Sequence, residues 1–177
     1  MSFSVTSLIF GLLMAALAVV FGAAAGRRAD LWRSLPRERA VGMILGVVCL
    51  VWAAYYVLPM LEGGLTRFRP AVKIAVPVVA ILSYFYLDFI LTRAIGGVTV
   101  LLTSHLLHRA FVERVPVRPL FSVVCFAVAL VGLVLIGSPW RFRDALERAC
   151  RHASWRRGLG AGLGGMALFY VLFALLA

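Results

Sequence analysis

Carboxylates are scarce in this chain. Its 177 residues include seven Asp and Glu against 18 Lys and Arg, a formal charge of +11, and every basic residue except Lys73 is an arginine. Such an excess suits either nucleic acid or anionic lipid, and the placement of the charges decides between them. Long stretches carry no charge at all: the first 26 residues, 40–61, 120–136 and 158–177. The arginines therefore flank apolar runs, which points to lipid headgroups. No basic domain, zinc-knuckle spacing or aromatic RNA-binding motif accompanies them, so no nucleic-acid partner is expected.

Cysteine is also sparse. Cys49, Cys125 and Cys150 are widely spaced and form no C-x-x-C, which excludes a disulfide framework or a cysteine metal site. Cys49 and Cys125 fall in apolar runs, where a free thiol acts as a small hydrophobe. The chain has no nucleophile elbow, H-E-x-x-H, P-loop or pair of intramembrane aspartates. Ser104 is near His105 and His108 in sequence without forming a triad. No catalytic residue, metal or cofactor is assigned on this basis.

What is present is apolar surface. With 63% hydrophobic residues and a mean hydropathy of +1.01, the composition predicts one all-α transmembrane domain over 1–177. A span needs about 20 apolar residues to cross a hydrocarbon core of about 30 Å. Six spans are predicted, and they form a polytopic helix bundle. The first runs from Ser4 to Ala25 and is uncleaved, because Arg27 and Arg28 follow it where a signal peptide has its charge in front. The second is Ala40 to Leu61. The third is Val72 to Leu91, with Pro77 as a tolerated kink. The fourth follows a break at Gly96-Gly97 and ends near Phe111, the fifth is Leu120 to Ile136, and the sixth is Gly158 to Ala177.

Between the fifth and sixth spans the pattern changes. Ser138 and Pro139 suit an N-cap and first helical residue. Phe142, Leu146, Ala149 and Ala153 make an apolar stripe, while Asp144 with Arg148 and Glu147 with Arg151 are one turn apart on the polar side. A short amphipathic helix of this kind lies in the interface. Arg141, Arg143, Arg148, Arg151, Arg156 and Arg157 are then its contacts to anionic headgroups.

The basic residues orient the chain. Arg27, Arg28, Arg33, Arg37, Arg39, Arg93 and the six arginines from Arg141 to Arg157 fall on one side, twelve in all, against Arg67, Arg69, Lys73, Arg109, Arg114 and Arg118 on the other. The positive-inside rule places the larger group in the cytoplasm and both termini outside, in the plasma (inner) membrane. A re-entrant fourth segment would move the Arg141–Arg157 cluster outward, which favours six spans over five.

Glycine pairs Gly22/Gly26, Gly42/Gly46, Gly158/Gly162 and Gly160/Gly164 have the spacing that lets helix backbones approach closely. They predict packing of helices one, two and six on one another, or else contact with a second copy or a membrane-complex partner.

Three ionisable groups are predicted at membrane depth, where each is expensive and so a candidate for function. On helix three Tyr84, Asp88 and Thr92 recur every fourth residue; on helix four Ser104, His105 and His108 share a face with Leu101. Tyr84 and His105 come out at similar depth, so the candidate polar site is Tyr84, Asp88, Ser104, His105 and His108. The bland alternative has Asp88 reaching the inner interface or Arg93, with His108 and Arg109 snorkelling outward. A metal at His105, His108 and Asp88 lacks a fourth ligand. A bis-histidine haem is disfavoured, since both imidazoles are on one helix. The leading expectation is a non-enzymatic structural or accessory subunit of a membrane assembly. A small transporter or ion- or proton-conducting subunit using Asp88 and His105 is its rival, and a membrane-embedded enzyme comes third.

Overall fold

The computed structural model describes residues 3–19, 39–86, 89–113, 115 and 117–176. Seven helices of these residues make up the fold, with no strand among them: α1 (Phe3–Val19), α2 (Arg39–Met60), α3 (Arg69–Tyr86), α4 (Ile90–Val112), α5 (Arg118–Gly137), α6 (Pro139–Arg151) and α7 (Ala153–Leu176). A 3-10 turn, Gly63–Phe68, joins α2 to α3. Of the seven helices, α2, α4, α5 and α7, together with α3 extended back to Leu65, are long and apolar enough to cross a membrane. The 17 described residues of α1 make a shorter apolar helix.

Helix directions follow from the contacts. Gly42 of α2 packs on the start of α4 at Ile90 and Leu91, Cys49 on Gly97, and Tyr56 on His105, so α2 and α4 run parallel. Helix α3 returns beside α2. Helices α4 and α5 run antiparallel and touch most closely at Gly96 and Gly132. An added Cβ at Gly96 would lie 2.6 Å from the Gly132 carbonyl oxygen, and one at Gly132 would lie 2.9 Å from the Gly96 oxygen. Only glycine allows this crossing.

Helices α1 and α7 are antiparallel as well. Ser7 Oγ donates to the Tyr170 carbonyl at 2.8 Å, and Gly11 packs against Ala167 and Val171. The start of α1 is held by α4, because Phe3 N–H donates to both Glu113 carboxylate oxygens at 2.9 Å. This carboxylate, supplied by another helix, satisfies a first-turn N–H and opposes the positive end of the α1 dipole.

The core lies where α1, α4, α5 and α7 meet. Phe3, Phe10, Leu106, Ala110, Phe121, Cys125, Val128, Tyr170 and Phe173 form one buried cluster. Phe121 is its centre, with ring centroids 5.2 Å from both Phe3 and Phe173 and 5.9 Å from Tyr170. Edge-to-face contacts of this kind add attraction to ordinary packing. Helix α3 contributes no buried residue.

Several boundaries differ from the sequence reading. Helix α3 starts at Arg69, since Pro70 suits a first turn, and it ends at Tyr86. Helix α4 runs unbroken through Gly96-Gly97, so the predicted break there is replaced by one before Phe89, a residue in the left-handed region with φ 57°. Thr92 and Arg93 accordingly belong to α4. Helix α7 begins at Ala153, five residues before the uncharged run, because Arg156 and Arg157 have flexible stems compatible with a helix end at an interface. Asp88, Gly22, Gly26 and the arginines from Arg27 to Arg37 lie outside the described residues.

Candidate functional site

Polar groups within an apolar bundle must find partners locally, because lipid offers none. Two threonines of α4 do so within the helix: Thr99 Oγ1 donates to Ile95 O at 2.8 Å and Thr103 Oγ1 to Thr99 O at 2.6 Å. Thr92, with 0% exposure, leaves its hydroxyl without a hydrogen-bond partner.

His105, on the α2-facing side of α4, has a partner from α2. Its Nδ1 is hydrogen-bonded to the Tyr56 hydroxyl, and its ring lies 6.4 Å from Trp52 and 6.2 Å from Tyr56, centroid to centroid. Trp52 and Tyr56 are one helical turn apart, so α2 presents both rings to one imidazole. Tyr55 extends the group, 6.0 Å from Tyr56.

The remaining members of the predicted polar site are not part of this cluster. Tyr84 is on α3, 46% exposed, with Phe85 as its ring neighbour at 5.3 Å. The predicted Tyr84–His105 bond is therefore replaced by Tyr56–His105. The physical reason is the order of the helices, since α3 packs on α2 and α2 occupies the face of α4 that bears His105. Ser104 and His108 are exposed on α4. The face expected to join Tyr84 to Thr92 through Asp88 does not exist as one helix face, because α3 ends at Tyr86. Among the described residues no three His, Cys, Asp or Glu side chains come together as a metal-ligand set.

The second polar region is α6 with the first turn of α7. Leu146 and Ala149 are buried under α6, as the apolar stripe requires, and Pro139 is buried at its start. Ser138 makes no side-chain cap; its carbonyl accepts from Arg141 N at 3.1 Å. Glu147 pairs with Arg151 at 2.5 Å, one turn on. Asp144 pairs with Arg143 at 3.0 Å in place of Arg148, whose guanidinium reaches Trp155 of α7, 6.0 Å from the ring centroid.

No family model matches this chain, and no curated protein or solved structure is similar to it. The argument therefore rests on the molecule itself.

The glycine pairs separate into two groups. Gly42 packs against the α4 backbone, 2.6 Å from Leu91 N for an added Cβ, so α2 uses its glycine on α4 and not on α1 or α7 as the spacing predicts. On α7, Gly158, Gly162, Gly164 and Gly165 have nothing within 4 Å of an added Cβ. Ser154, Gly158, Ala161, Gly162 and Gly165 form an exposed face of small residues. Sequence reasoning missed Tyr56; the available signal was its spacing of four from Trp52.

Proposed function

We propose that this protein is a non-enzymatic, multi-pass subunit of a membrane assembly, docking another helix on the small-residue face of α7. The supporting observation is that open face. Small residues are enriched where transmembrane helices approach closely, since without side chains they add little packing against lipid. The bundle uses the same device internally at Gly96, Gly132 and Gly42, each filled by a neighbouring helix. Helix α7 instead turns bulky residues, Tyr170 and Phe173, inward and small ones outward. A second copy or another membrane protein would fill that face.

In this reading α1 is a sixth span, α6 lies in the headgroup layer of the inner leaflet, and both termini lie outside. The antiparallel α1–α7 pair and the arginines of α6 support it. A conducting subunit using His105 is the second reading, favoured by the hydrogen-bonded Tyr56–His105 pair within two apolar helices. It is weaker because Tyr56 and Trp52 already surround the imidazole.

Gly162→Leu tests the docking face. Nothing in the protein obstructs the new side chain, so its effect on unfolding in detergent should stay below about 0.5 kcal/mol. The mass of the complex isolated from native membranes should fall to that of the single chain in its detergent or lipid shell. Unchanged mass and unchanged companions would assign the face to lipid and defeat the proposal.

A further inference from the structure

We propose that Arg148 and Arg156 form a binding site for the phosphate of an anionic phospholipid at the corner between α6 and α7. The inference rests on the reading that α6 lies among headgroups, and it goes further by distinguishing two arginines from the six in this region.

The distinction comes from how the charges are partnered. Asp144 and Glu147 are the only carboxylates between Arg141 and Arg157. Arg143 binds Asp144 through Nε at 3.2 Å and Nη2 at 3.0 Å, and Arg151 binds Glu147 at 2.5 Å. Those two arginines are neutralised within α6. Arg148 has no carboxylate, and its guanidinium is placed over the Trp155 ring, which attracts the cation while accepting none of its N–H bonds in plane. Arg156, next to Trp155, has its Nε buried with no hydrogen-bond partner. An arginine N–H removed from water and left unpaired is costly, and a phosphate oxygen is the acceptor that suits it.

The backbone brings the two together. His152 N donates to Arg148 O at 2.8 Å, and Arg156 N donates to His152 O at 3.1 Å, so hydrogen bonds continue from one helix to the next through the extended His152. Trp155, 44% exposed, has the amphipathic ring that interfacial tryptophans place at headgroup level. A tetrahedral phosphate with several acceptor oxygens matches two guanidinium forks better than a single carboxylate does.

The test uses the full chain reconstituted with phosphatidic acid and phosphatidylcholine, then released for native mass spectrometry of retained lipid. The variants are Arg148→Gln and Arg156→Gln, with Arg143→Gln and Arg151→Gln removing the same charge from partnered positions. Retention of phosphatidic acid should fall about tenfold in the first pair and less than about twofold in the second. Arg156→Lys, which keeps the charge and loses the fork, should fall with the first pair. Equal losses in all four Gln variants would overturn the site and leave α6 as a diffuse headgroup contact. Equal retention of both lipids by the unaltered chain would overturn the headgroup reading as well. Displacement of the lipid by excess inorganic phosphate would assign the two arginines to a soluble anion and overturn the lipid site.

Discussion

Two antiparallel helix pairs in this molecule are built in opposite ways. Helices α2 and α3 are neighbours in sequence, linked by the Gly63–Phe68 turn, and α3 buries none of its residues. Helices α1 and α7 are far apart in sequence, and they interlock through Gly11, the Ser7 hydroxyl and the edge-to-face Phe10–Tyr170 contact at 4.7 Å. A short link keeps two helices together with little help from packing. A pair separated by most of the chain has only its contacts, so the aromatic residues and the tightest small-residue fit are concentrated there.

The largest test of this difference is truncation of an aromatic ring on each side. Phe121→Ala removes the ring at the centre of the α1–α7 cluster and should cost about 3–5 kcal/mol. Phe85→Ala, on the exposed face of α3, should cost less than about 0.5 kcal/mol in thermal unfolding followed by circular dichroism. Comparable losses would mean that α3 is covered by protein, and the contrast between the pairs would fail.

A glycine comparison is sharper and smaller. Gly132→Ala pushes a methyl to within 2.9 Å of the Gly96 carbonyl oxygen and should cost about 1–3 kcal/mol, since the backbone must move. Gly165→Ala, with open space around it, should leave thermal stability within about 0.5 kcal/mol of the parent chain. If the two substitutions cost the same, helix propensity and not close packing governs these glycines.

The smallest effect concerns the seam that joins α2 to α4. Tyr56→Phe and His105→Leu each remove one partner of the hydrogen bond, and the double-mutant cycle should show a coupling of about 1 kcal/mol. Proton flux into liposomes, measured on the same variants, separates the two functional readings. Coupling without flux fits a structural link, and a flux lost in either single variant would raise the conducting subunit above it.

The helix centres were legible because uncharged runs of about 20 residues have few alternatives. The interfacial helix was legible because Leu146 and Ala149 recur against arginines at helical spacing. Gly96-Gly97 misled because adjacent glycines read as a break in water, whereas in an apolar bundle they permit two backbones to touch. That one misplacement carried Thr92 and Arg93 into a link and gave His105 the wrong tyrosine. Neighbour relations such as α2 lying between α3 and α4 are set by packing among distant segments, which no local period reports. Arg148 left its predicted Asp144 for Trp155 because α7 starts early enough to place that ring beside it.

The Ser7–Tyr170 bond spans 163 positions. At a synthesis rate of about 5–20 residues per second, α1 is finished on the order of ten seconds before its partner exists. During that interval the first helix is in the bilayer with Ser7 and Gly11 turned toward whatever lies beside it. Arrival of α7 ends that wait, so the last helix made decides when the first is safe from the membrane's quality-control proteases.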